Sequence, residues 1–129
     1  MPSAETLARF IARVEEGAHA QAIEEFYTAD ASMQENHAPP RVGRDLLVAN
    51  EKRVLAQTRS VVSQCIGPVF VSGDCVVIRW RFRFESHDGR VRELEELAYQ
   101  QWQGERIHRE QFFYDPAQFV ARAPAAGAA

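Results

Sequence analysis

The sequence predicts an α+β fold in which three helices from the N-terminal half close over a curved antiparallel sheet and leave a cone-shaped pocket. Three observations predict it. Apolar residues recur at helical spacing in most of the first half of the chain, and at alternate positions from Arg59 onward. One short strand, Ser32 to Asn36, is set among the helices. The later strands are separated by compact Gly-containing turns, which join neighbours antiparallel. Helices gathered on one face of such a sheet define the class.

In order, Ser3 is placed to cap a first helix in which Leu7, Phe10, Ile11 and Val14 share a face, and Gly17 ends it. A second helix runs from about Ala18 to Tyr27, with Ala22, Ile23, Phe26 and Tyr27 apolar. Asp30-Ala31 turns the chain into the strand Ser32–Asn36, whose alternation sets Met33, Glu35 and His37 on one face. Pro39-Pro40 ends that strand, and a third helix follows Gly43 to about Gln57, with Leu47, Val48 and Leu55 inward.

The strand Ser60 to Val71 is interrupted at Gly67-Pro68, which implies a bulge or bend. Cys75 to Glu85 alternates most clearly, with Val76, Ile78, Trp80, Phe82 and Phe84 on one face and Arg79, Arg81 and Arg83 on the other. After the His87-Asp88-Gly89 turn come strands Val91 to Trp102 and Arg106 to Tyr114. Pro116 breaks the pattern, so one domain is expected over residues 1–118, with a low-complexity, disordered tail over 119–129.

The totals fit a single core: 129 residues, 46% hydrophobic and 26% charged. A net charge of −3 argues against nucleic acid as a partner. No apolar run is long enough to span a bilayer, and the N-terminus lacks a signal-peptide pattern, so a cytoplasmic protein without membrane partners is expected. Cys65 and Cys75 sit at different distances from the Gly73-Asp74 turn and do not face each other, so both are read as small buried residues rather than a disulfide. The arginine stripe is expected to pair with Glu93 or Glu95 on the next strand.

Three carboxylates are the candidate catalytic groups. Glu35 lies at the end of the first strand, at the mouth or wall of the pocket; the bland alternative is a solvated strand end. Glu96 shares a face with Leu94, Ala98, Gln100 and Trp102, and Glu110 with His108, Phe112 and Tyr114. With a Gln103-Gly104-Glu105 turn, Ala98 stands opposite Glu110 and the carboxylates converge. Acids held close cannot all ionise, and one would titrate high. A register one residue off brings Arg109 inward instead of Glu110; Phe112 and Tyr114 travel with the Glu110 register. His37, Trp80, Gln100, His108, Phe112 and Tyr114 are the expected ligand contacts, suited to an apolar or cyclic small molecule. A His beside a Glu can relay protons. No tight ligand motif is present, so no metal or cofactor is assigned.

Two motifs carry a family resemblance. FYTADASMQE followed by PPRVG, and the ending IHREQFFYDP, together with the element order over residues 4–118, resemble the nuclear transport factor 2-like superfamily, which includes ketosteroid isomerase and SnoaL-like polyketide cyclases. The resemblance implies the cone-shaped fold and a homodimer through the convex sheet face. It places Glu35 at the position of the isomerases' proton-moving carboxylate. The isomerases' tyrosine donor falls at Ile11 and their neutral aspartic acid near Ala98, so both oxyanion donors are missing. At ~3 kcal/mol per donor, this argues against the steroid isomerase mechanism. The Arg109-inward register would instead resemble limonene epoxide hydrolases. The fold hosts enzymes, ligand binders and interaction modules, so three functions stay open: a carboxylate-dependent isomerase, cyclase or hydrolase, a ligand-binding module, and a protein-interaction module.

Overall fold

The computed structural model describes residues 1–120. Three helices and a curved, unclosed six-stranded mixed sheet form one α+β layer pair. The helices are α1 (Ala4–Glu15), α2 (His19–Phe26) and α3 (Arg44–Ala56). The strands are β1 (Tyr27–Glu35), β2 (Arg41–Val42), β3 (Thr58–Ser72), β4 (Cys75–Ser86), β5 (Val91–Gln103) and β6 (Arg106–Phe113), and a short 3-10 helix, Pro116–Phe119, follows. Their order across the sheet is β2-β1-β6-β5-β4-β3. β3 to β6 form the expected antiparallel meander. β1 adds to β6 in parallel, which makes the sheet mixed.

Local chemistry accounts for most boundaries. Ser3 caps α1 by accepting from the Thr6 N–H at 3.1 Å. Gly17 then takes φ +81°, a left-handed conformation, directly beneath Val61 of β3. The α2 helix stops one residue earlier than expected, and β1 starts at Tyr27 rather than Ser32. The reason is tertiary. Tyr27 pairs with Ile107 of β6, and a register irregularity between Tyr27 and Ser32 absorbs the segment read as a turn. Gly67-Pro68 falls in the irregular stretch between Ile66 and Phe70, as its composition implies.

On β4 the alternation holds: Val76, Ile78, Trp80 and Phe82 are buried beneath the helices, and Arg79 and Arg81 are exposed. Arg79 pairs with Glu95, and Arg83 with Glu93 at 3.8 Å. The core joins Phe10, Ile23, Phe26 and Leu47 from the helices to Trp80, Leu94, Trp102 and Ile107 from the sheet. Each of these side chains contributes on the order of 1.5–3 kcal/mol of burial. Cys65, midway along the edge strand β3, and Cys75, at the start of β4 beside the Gly73-Asp74 turn, are free and half-buried rather than fully buried. Phe119, assigned to the tail by composition, belongs instead to the 3-10 helix, with its ring 5.1 Å from Tyr114. The rest of the expected tail, 121–129, lies outside the described residues.

Candidate functional site

Between helices and sheet lies a cavity of about 180 Å³, walled by Phe10, Trp80, Phe82, Phe112 and other apolar side chains. An apolar cavity of ~150 Å³ holds one benzene ring, so this one admits a single-ring molecule. Glu35, Glu51, Glu96 and Glu110 all line it.

The β5–β6 hairpin decides which acids enter. A two-residue turn, Gly104-Glu105, pairs Gln103 with Arg106 and Trp102 with Ile107. The register then shifts, so that Gln101 faces Arg109 and His108 is the extra residue. This bulge lets both Ile107 and Glu110 point inward while Arg109 stays exposed. Glu110 therefore stands opposite Gln100, not Ala98, and Ala98 is opposite Phe112. The Arg109-inward arrangement does not occur.

Glu110 is 3% exposed and accepts hydrogen bonds from the Tyr27 hydroxyl and from Gln100 Nε2, at 2.6 Å for the latter. Gln100 in turn accepts from Trp102 Nε1 at 3.0 Å. Burial pushes the Glu110 carboxyl up to about 7, against the lowering effect of these two donors. Glu96 is 8% exposed and has no hydrogen bond or ion pair among the described residues. Burial first, then the charges of Glu110, Glu35 and Glu51, push it up to about 8. Glu35 is at the rim, its side chain 40% exposed and its carboxylate 3.5 Å from the Arg41 guanidinium. Tyr27 itself is held well above the usual phenol range by burial and by Glu110.

Trp80 and Phe112 line the cavity as expected. Gln100 is fully buried and supports Glu110 from behind. Tyr114 packs beside Phe119 at the edge of the core, where burial and the charges of Glu35 and Glu96 raise its pKa. Neither Gln100 nor Tyr114 lines the cavity, and two more expected contacts lie away from it. His37 is exposed and its ring lies 6.2 Å from Phe113; Asn36 adopts φ +48°, which ends the strand alternation that would have kept His37 beside Glu35. His108 is turned away by the bulge and sits near Thr28 (3.3 Å) and Asp30 (3.5 Å).

Two polar groups of the cavity carry no local signal in the sequence. Tyr27 reads as a helix-end aromatic until its pairing with β6 is known. His19, on α2, lies with Nδ1 3.2 Å from Glu51 Oε1 and Nε2 2.7 Å from Ser63 Oγ. These three residues come from α2, α3 and β3, so only the fold brings them together. Among the described residues no cluster of three or more His, Cys, Asp or Glu is placed to hold a metal ion, and no helix is long and apolar enough to cross a membrane.

Residues 7–110 match the family model described as the SnoaL-like domain. No curated protein matches the chain. Similar solved structures include a candidate SnoaL-like polyketide cyclase from Mesorhizobium loti, at 21% identity and a TM-score of 0.72, covering 88% of this chain and 100% of that one. Another is a hypothetical protein with a ketosteroid isomerase-like fold from Catenulispora acidiphila, in complex with trimethylamine (18%, 0.73, 90% and 89%). A third is an NTF2-like protein of unknown function from Burkholderia pseudomallei (13%, 0.75, 90% and 92%). At these identities the likeness is one of fold. With the family model spanning most of its length, the chain belongs to the SnoaL-like domain family, within the nuclear transport factor 2-like superfamily.

Proposed function

We propose that this protein is a cofactor-independent enzyme that moves protons on a small, single-ring substrate held in the cavity. One observation carries the reading: Glu96 is a buried carboxyl with no hydrogen bond or ion pair among the described residues, on the wall of a largely apolar cavity. A carboxyl that titrates near neutrality can both give and accept a proton within one turnover. Glu110, braced by Tyr27 and Gln100, is the second acid-base group, and its lower value reflects those donors. Glu35 sits at the rim, partly in water beside Arg41. Trp80 and Phe112 contact the ring. The absence of tyrosine and aspartic acid at positions 11 and 98, with Ile and Ala there, and the small volume both argue against a steroid.

The reading is tested by incubating the protein with single-ring carbonyl and amine compounds in D₂O and following deuterium incorporation or isomerisation by NMR. Wild type turns over at least one member, and Glu96→Gln does not. Binding with no turnover by wild type across the panel would make the protein a ligand-binding module instead.

The convex face supports a homodimer. Ile66, Phe70, Val77, Leu97, Tyr99 and Phe113 are neighbours there through the β3–β4–β5–β6 registers. Four of them, Phe70, Leu97, Tyr99 and Phe113, are exposed large side chains. They flank the Arg79–Glu95 pair, and exposed large apolar side chains grouped in this way are an expected site of association.

A further inference from the structure

The cavity carries a charge imbalance. Four carboxyls line it against two guanidiniums, Arg41 and Arg92. Most of these groups have a local partner: Glu35 has Arg41, Glu51 has His19, and Glu110 has Tyr27 and Gln100. The Arg92 guanidinium lies over the rings of Phe84 and Phe119, at 5.7 and 5.9 Å from their centroids. Among the described residues, Glu96 is the one of the four acids with no hydrogen bond or ion pair, although it is only 8% exposed. A buried carboxyl without a donor is costly, and a ligand that supplies one recovers that cost.

The wall around Glu96 narrows the chemistry. Trp80 is its direct cross-strand neighbour, and Phe82 stacks on Trp80 with ring centroids 5.6 Å apart. Phe112 and Phe84 also line the cavity. A buried acid beside aromatic faces favours a cation, through Coulomb attraction and the ring quadrupoles together. A neutral hydroxyl would satisfy the hydrogen bond of Glu96 but leave the acidic excess uncompensated.

We propose that the ligand of this cavity carries a protonated nitrogen, an amine on a single apolar ring, whose ammonium pairs with Glu96 beside Trp80 and Phe82. The proposal rests on the reading of the cavity as a small-molecule site. The step balances simply: the Glu96 carboxyl releases its proton to solution and the carboxylate accepts a hydrogen bond from the ammonium. No other bond breaks. The charged and titratable groups around Glu96 are Tyr27 and Glu35 from β1, Arg41 from β2, His19 from α2, Glu51 from α3, Arg92 from β5, Glu110 from β6 and Tyr114 just after β6. The charges of Glu35, Glu51 and Glu110 all act to keep Glu96 protonated. A bound cation opposes them, so amine affinity rises with pH until the amine itself loses its proton.

The experiment is isothermal titration calorimetry of the full chain at pH 7 with benzylamine, benzyl alcohol and benzoate, in phosphate and in Tris. The expected result is benzylamine binding on the order of tenfold or more tighter than benzyl alcohol. Its enthalpy differs between the two buffers by close to one released proton, and Glu96→Gln removes the preference. Benzyl alcohol or benzoate binding as tightly as benzylamine to wild type overturns the amine proposal and leaves the small-molecule reading standing. Binding of none of the three overturns both.

Discussion

Glu96→Gln should stabilise the protein at alkaline pH and leave it nearly unchanged at acid pH. Glu96 rises from an ordinary value of 4.5 to about 8 on folding. A raised carboxyl binds its proton more tightly in the folded state, so its favourable contribution is present below 4.5 and is lost as pH climbs through 8. The full rise corresponds to roughly 5 kcal/mol. Relaxation and water entry at the cavity reduce it, so ~2–5 kcal/mol is the working expectation. Glutamine has the shape of the protonated acid and never ionises. The assay is urea unfolding of wild type and variant at pH 5 and pH 9. Near-equal midpoints at pH 5 and a higher variant midpoint at pH 9 are expected. The same difference at both pH values would refute the reasoning, because it would mean that Glu96 ionises without penalty in the folded protein.

Other outcomes follow from the same geometry. Tyr27→Phe removes a hydrogen bond that favours the ionised form of Glu110, so the Glu110 titration should move upward by about one to two pH units, read by carboxyl ¹³C NMR. Gly17→Ala should cost ~1–2 kcal/mol in thermal or denaturant unfolding, since φ is +81° and a Cβ would stand 3.1 Å from Val61 Cγ1. Leu97→Glu, in the middle of the exposed apolar face, should leave folding intact and convert a dimer to monomer in sedimentation velocity; an unchanged sedimentation coefficient would remove the convex-face dimer.

Periodicity made the helices and the four long strands legible, because each buries one face on a regular repeat: Leu7, Phe10 and Val14 on α1, and Val76, Ile78, Trp80 and Phe82 on β4. The arginine–glutamate pairing between β4 and β5 was legible for the same reason. The start of β1 at Tyr27 was not, since it depends on a parallel partner eighty residues away in β6. The inward set of β6 was legible only in part. Alternation placed His108 with Glu110, whereas the bulge separates them and brings in Ile107. His37 was lost from the site because a single left-handed residue, Asn36, ends the strand early. His19, Glu51 and Ser63 are far apart in sequence and none sits in a motif, so their contact belongs to the tertiary structure alone.

The central claim is that Glu96, buried in the cavity wall with no hydrogen bond or ion pair among the described residues, holds its proton into the neutral range. Direct titration of the Glu96 carboxyl by ¹³C NMR, assigned through Glu96→Gln, tests it. The account predicts a midpoint near pH 8. A midpoint at the ordinary value of 4.5 would contradict it.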